Sequence, residues 1–297
     1  MPTSTVLLLL ACDGSPAALH AAEFVAAYRG DAARLKPRVV NVQHRPLTLF
    51  PGAGIDRAQL DAALQEEGMR ELAPALARLA GAGLAPEPVV RQGFAAAALL
   101  EEARASGARA IVVGTRGRGV LRGFALGSVA MRVVHAGATP TFLVGPEARL
   151  PAQWGRRLRV LLATDGSEYS ARAAALLVDW REWLGEMEVQ LVHAQSALTL
   201  LESVLPPHQD VLDRWSGEDT ERAVRPAREL LAGAGMLQRV HLVEGDPAAE
   251  IVRLAQETAC ELVVLGTRGH GAAHHALIGS VALNAAALSP VPLLLVP

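Results

Sequence analysis

Ala110-Ile111-Val112-Val113-Gly114-Thr115-Arg116-Gly117, then nine residues, then Gly127-Ser128, is the stretch that decides the fold. It returns as Leu262-Val263-Val264-Leu265-Gly266-Thr267-Arg268-Gly269, nine residues, and Gly279-Ser280. The copies stand 152 residues apart (266 minus 114, 279 minus 127). Asp13-Gly14-Ser15 returns at that offset as Asp165-Gly166-Ser167, Gly93 as Gly245, and Pro140 as Pro292. A repeat this long implies a duplicated domain. Glycines at fixed spacing mark backbone that turns sharply or lets a neighbour come close.

Outward from the motif, each copy reads as alternating strands and helices. In the first, strands are expected at Val6 to Ala11, Pro37 to Val42, Pro88 to Arg91, Ala110 to Gly114 and Thr141 to Val144. Helices are expected after Ser15, over Asp56 to Leu79, over Ala95 to Ala105, and over Ser128 to His135. Ser15 is placed to cap its helix, with Pro16 in the first turn. Residues 44–57 read as a loop. In the second copy, strands are expected at Val160 to Thr164, Glu188 to Ala194, Arg239 to Val243, Glu261 to Gly266 and Val291 to Val296. Its helices are expected to start near Glu168, Asp219, Pro247 and Ser280. The continuous apolar runs suit parallel strands covered on both faces. The order predicts an α/β fold, with two tandem open parallel sheets of five strands each. The domains are expected at residues 1–147 and 154–297, joined by a short linker. Ligands of such sheets sit beyond the strand carboxyl ends, where strand order reverses. The Asp-Gly-Ser turn and the glycine loop both lie there.

Composition narrows the function. A net charge of −2 gives no general electrostatic footprint for nucleic acid. Cys12 and Cys260 are the only cysteines and occupy unrelated places in the two copies, which argues against a disulfide framework or a structural zinc site. The apolar run before Asp13 is too short for a membrane span, and its counterpart from Arg159 lies mid-chain. A cytoplasmic protein with no membrane or nucleic-acid partner is expected.

Gly114 and Gly117 would let a loop pass close to a phosphate chain, and Gly127-Ser128 opens a helix whose free N–H groups favour an anion. Gly266, Gly269, Gly279 and Ser280 repeat this. No Gly-Lys-Ser/Thr follows, so it is not a Walker A loop. The glycines follow the fourth strand, so it is not the dinucleotide fingerprint either.

Gly-x2-Gly-x9-Gly-Ser, with an aspartate ending the first strand, resembles the ATP-binding type of universal stress protein, and both copies match. The resemblance implies a Rossmann-like, adenine nucleotide alpha hydrolase-like domain in tandem, and an ATP-binding stress-response regulator or sensor. It implies that Asp13 and the Val42 backbone meet adenine, while Gly114, Gly117, Gly127 and Ser128 meet ribose and phosphates. Asp165, Ala194, Gly266, Gly269, Gly279 and Ser280 are the matching positions in the second copy. Val129 and Val281 line the pockets, and Ala11, Val113, Ala163 and Leu265 join the set. The ligand would be ATP, ADP or AMP, with Mg2+ as an accompanying ion held near Asp13 or Asp165. The last strand mediates dimerisation in that family. The resemblance therefore implies that the two copies pair internally as a pseudo-dimer, with a homodimer as a further option. No residues are assigned to catalysis. The alternative is a slow ATPase or nucleotide-dependent phosphotransferase, although no lysine accompanies either loop.

The copies also differ. The family's second strand commonly ends in His-Val. Here it ends in Asn41-Val42 and in His193-Ala194. Cys12 stands opposite Thr164. Arg116 and Arg268 agree, whereas Arg118, Arg122 and Gly123 become His270, His274 and His275. Titration of those histidines would make nucleotide affinity at the second site fall from pH 6 to pH 8. Trp180 and Trp183 stand at helical spacing and read as packing.

Overall fold

A computed structural model describes residues 5–44, 57–117, 126–136, 139–195, 209–269 and 278–297, with backbone only over 209–216. The loop expected at 44–57 lies almost wholly outside these residues, as do His270, His274, His275, Arg118, Arg122 and Gly123. The chain divides into two compact units, Met1–Pro146 and Glu147–Pro297.

In the first unit the strands are β1 (Val6–Ala11), β2 (Leu35–Gln43), β3 (Glu87–Gln92), β4 (Ala110–Gly114) and β5 (Thr141–Val144). The helices are α1 (Pro16–Ala26), α2 (Arg57–Gly81), α3 (Ala95–Ser106) and α4 (Ser128–Ala136). The strands pair in parallel in the order β3-β2-β1-β4-β5. Leu8, Leu9 and Leu10 of β1 have no exposed surface, as expected for a central strand covered on both faces. Helix α1 packs with α2, and α3 with α4.

The second unit repeats this with β6 (Arg157–Ala163), β7 (Glu186–Gln195), β8 (Leu237–Glu244), β9 (Leu262–Gly266) and β10 (Leu293–Val296). Its helices are α5 (Glu168–Leu184), α6 (Gln209–Gly233), α7 (Pro247–Glu257) and α8 (Ser280–Leu288). The parallel order is β10-β9-β6-β7-β8. Among the described residues, no helix is long and apolar enough to cross a membrane.

Helix α6 begins at Gln209, ten residues before the expected start at Asp219. Ser216-Gly217 reads as a break, yet the helix runs through it. A side chain at Gly217 would meet nothing within 4 Å, so the glycine faces open space. An exposed helical glycine costs about 1 kcal/mol relative to alanine without ending the helix. Strand β6 starts at Arg157 and not Val160, because its pairing with β7 extends back to Arg157 opposite Glu186.

The units differ in how they fasten the helix that follows their edge strand. In the first, Glu102 of α3 is buried, with its side chain 4% exposed. It accepts from Arg38 Nη1 at 2.8 Å and from Arg91 Nε at 2.7 Å. Arg38 also holds Glu87 at 2.9 Å, a contact that pushes the guanidinium further up from its ordinary value. At the corresponding positions the second unit has Leu254, Gln190 and Val243. Leu254 is buried, so one fold fastens this helix once with charge and once with hydrocarbon.

On β7 and β8, His241 Nε2 lies 2.7 Å from Gln190 Oε1. Burial pushes the His241 pKa below its ordinary value, and Arg239 and Arg253 add to this. The folded state therefore prefers the neutral ring. Its contribution is full above the unfolded value near 6.5 and is lost as pH falls below it towards the lowered folded value. The unfolding free energy of wild type, read from urea denaturation, should fall slightly between pH 7.5 and pH 5, by under about 1 kcal/mol after solvent screening. In His241→Asn that fall should be smaller; an unchanged pH profile would exclude this histidine as its source.

Trp180 and Trp183 are packing residues. Their ring centroids lie 5.0 Å apart, and Trp154 meets Trp183 edge-on at 6.0 Å, all three being buried.

Candidate functional site

Each unit carries a cavity at the carboxyl ends of its strands, where strand order reverses between β1 and β4, or between β6 and β9. The volumes are about 510 and 610 Å³, in the range that takes a small molecule or cofactor. Ala11, Asp13, Val42, Val113, Gly114, Gly117, Gly127, Ser128 and Val129 all line the first. Ala163, Asp165, Ala194, Leu265, Gly266, Gly269, Gly279, Ser280 and Val281 all line the second. The residues that the resemblance points to thus lie along the walls of these two cavities. Sequence reading missed the apolar wall made by Ala95 and Leu99 of α3 and by Pro247 and Ile251 of α7. Its signal was the repeated Gly93 and Gly245. Both take positive φ (128° and 144°) and turn the chain back over the strand ends into these helices.

The aspartates are held by their own turns. Asp13 Oδ1 accepts from the Ser15 N–H at 3.0 Å, and Asp165 Oδ1 accepts from the Ser167 N–H at 3.0 Å. Ser15 and Ser167 then cap α1 and α5 by accepting from Ala18 and Ser170. A Cβ placed on Gly117 would lie 2.9 Å from Asp13 Oδ2, and one on Gly269 would collide with Asp165 Oδ2. The second motif glycine therefore makes room for a carboxylate. The first makes room for a helix: a Cβ on Gly114 would lie 2.8 Å from the Ala17 carbonyl, and one on Gly266 2.6 Å from Tyr169 Cβ.

The third motif glycine has no such reason. Gly279 has φ −71° and ψ 146°, a conformation open to any residue. A Cβ there would make only ordinary contacts, 3.6 Å or longer. It is the N-cap of α8 and provides no side-chain cap, while α1, α5 and α7 are capped by Ser15, Ser167 and Asp246. Helix α8 therefore presents its first turn to the cavity without a side-chain cap.

The second strands of the two units end in different residues, Asn41-Val42 and His193-Ala194, yet make one contact. Asn41 Nδ2 donates to the Cys12 carbonyl at 2.9 Å, and His193 Nδ1 donates to the Thr164 carbonyl at 2.9 Å. Two different side chains thus fix the peptide before each aspartate. Cys12 and Thr164 are likewise equivalent. Each reaches the helix that carries a proline, Pro74 in α2 or Pro226 in α6. Thr164 Oγ1 donates to the Ala223 carbonyl at 2.8 Å, and Cys12 Sγ makes the weaker contact to Glu71 O at 3.9 Å. These carbonyls lie three residues before the prolines, where the helical ladder is disturbed. Cys12 is thus buried as a helix contact.

Arg116 and Arg268 line their cavities in unlike settings. Arg116 is exposed, whereas Arg268 is half-buried and its Nη1 donates to Tyr169 Oη at 2.9 Å. Among the described residues, no group of three or more His, Cys, Asp or Glu side chains is placed to hold a metal ion.

Comparison with known proteins matches this architecture twice. The model of the Universal stress protein family matches residues 8–145 and again 157–297. The Thermus aquaticus protein "Universal stress protein in QAH/OAS sulfhydrylase 3'region" is 33% identical over 143 residues, which are 46% of this chain and 96% of that protein. A Mycolicibacterium smegmatis universal stress protein is 27% identical over 221 residues, covering 72% of this chain and 69% of its own. The crystal structure of a universal stress protein from Archaeoglobus fulgidus superposes with a TM-score of 0.67 at 21% identity, covering 98% of this chain and 97% of that one, which shows the shared fold. With residues 8–145 and 157–297 each matched by the same model, the chain belongs to the universal stress protein family, as a tandem of two of its domains.

Proposed function

We propose that each unit binds an adenine nucleotide, and that the protein acts as a regulator or sensor in a stress response by changing its surface with nucleotide occupancy. The observation that carries this reading is Gly279. Its glycine is demanded neither by conformation nor by crowding, and its helix turns an uncapped first turn to the cavity. A bare, dipole-positive helix start suits a phosphate. The apolar ends of the strands and of α3 or α7 suit the flat faces of a base. Val42 and Ala194 would offer backbone groups to its edge, and Asp13 and Asp165 would accept from hydroxyl or amino groups. Magnesium would enter with the phosphates, with the same aspartates at hand.

Titration calorimetry with ATP should give two sites per chain. Gly127→Val and Gly279→Val should each weaken one site at least tenfold, about 1.4 kcal/mol, without unfolding the protein. A folded protein that takes up no adenylate at millimolar concentration would remove the proposal.

A further inference from the structure

We infer that Arg268 is the residue by which the second cavity selects nucleotides by the number of their phosphates, and that Tyr169 makes it able to do so. The inference rests on the nucleotide reading above and assigns a selectivity that the first cavity lacks. Arg268 sits between the first two motif glycines and lines the cavity beside Gly269, Gly279 and Ser280. Its Nη1 donates to Tyr169 Oη at 2.9 Å, and its guanidinium carbon lies 5.5 Å from the centre of that ring. The ring is also visited by Arg172, at 5.2 Å. Arg268 Nε is buried and has no hydrogen-bond partner among the described residues.

These facts describe a guanidinium that is held but under-satisfied. The aromatic face and the hydroxyl hold it at the cavity wall, so little side-chain freedom remains to be lost on binding. A buried N–H without an acceptor is unfavourable, so an oxygen-rich anion that reaches the group where it is held is favoured twice: it relieves that N–H and accepts a charge-assisted pair. The ligand group with that chemistry is a terminal phosphate.

Duplication supplies the control. At the position of Tyr169 the first unit has Ala17, which offers neither ring nor hydroxyl, and Arg116 stands exposed. An exposed arginine loses more freedom on binding and acts through water, so its gain per phosphate is smaller.

The test compares AMP, ADP and ATP by titration calorimetry on the full chain. Val129→Trp and Val281→Trp, each filling one cavity, assign the two sites. The second site should prefer ATP over AMP more strongly than the first. Tyr169→Phe and Arg268→Lys should reduce that preference about tenfold, the loss falling more on ATP than on AMP. Ala17→Tyr should raise the preference of the first site. Equal ATP-to-AMP ratios at the two wild-type sites, or ratios unchanged in folded Tyr169→Phe and Arg268→Lys, would overturn the inference and leave nucleotide binding standing. Binding of no adenylate at either site would remove both.

Discussion

Glu102→Leu should destabilise the first unit by about 1–3 kcal/mol, although the second unit carries leucine at the same place. The cost does not come from the leucine. It comes from Arg38 and Arg91, which lose the buried carboxylate that both share. Arg38 keeps Glu87, which is more than half exposed and compensates little. Helix α3 would loosen from the sheet edge, and with it Ala95 and Leu99 on the wall of the first cavity. Carrying over the rest of the second unit's solution, as Arg38→Gln, Arg91→Val and Glu102→Leu together, should restore most of the loss. Removing an ionic cluster as a whole leaves no member without its partner, whereas removing one member does. Urea unfolding followed by far-UV circular dichroism would read both variants. All four tryptophans (Trp154, Trp180, Trp183, Trp215) belong to the second unit, so their fluorescence should not follow the loss. A single substitution as mild as the triple one would show the cluster to be of no energetic consequence.

Gly266→Val should lower the stability of the second unit by about 1–3 kcal/mol. A Cβ at Gly266 would stand 2.6 Å from Tyr169 Cβ and 2.8 Å from its carbonyl carbon. Those atoms are in the first turn of α5, which is tied down. Ser167 accepts from Ser170 N–H at 3.3 Å, and Thr164 Oγ1 lies 3.2 Å from Ser170 Oγ. The helix has to lift from the sheet as a whole, which opens the core beneath it. At roughly 2–4 °C per kcal/mol for a unit of this size, the melting transition should fall by several degrees, visible in tryptophan fluorescence. Gly279→Ala should destabilise the unit by no more than about 1 kcal/mol, because the methyl meets nothing closer than 3.6 Å and only the N-cap preference for glycine over alanine is lost. Equal loss of stability in both would show that the motif glycines serve the fold alike, and would take away the reason for reading Gly279 as a ligand contact.

Much of this site was legible in the sequence because duplication prints the same requirement twice. Asp13 with Asp165, and Gly117 with Gly269, stand out as pairs, since a carboxylate touching a glycine constrains both residue types. The wall made by Leu99 and Ile251 was not legible, because an apolar residue on a helix is spelled the same way whether it faces core or cavity. The exchange of Asn41 for His193 looks like a departure in the sequence and is a conservation of contact in the structure. Each donates to the carbonyl of the residue just before its unit's aspartate, Cys12 or Thr164, and only the backbone around them shows it. The start of α6 was misplaced at Asp219 because local propensity at Ser216-Gly217 argues for a break that the rest of the helix overrides.

By itself the amino-acid order determined the duplication, the alternation of strand and helix, and the loops that would meet, since periodicity, turn glycines and a constant offset are local or countable. Which glycine serves a helix, which a carboxylate and which neither was decided only by tertiary structure. So was the burial of Glu102 between two arginines, and the seating of Arg268 on Tyr169 ninety-nine residues away. The reason is physical: each of these depends on atoms far apart in sequence, and a distance of a few tenths of an ångström between them settles whether a side chain fits, pairs or is left wanting.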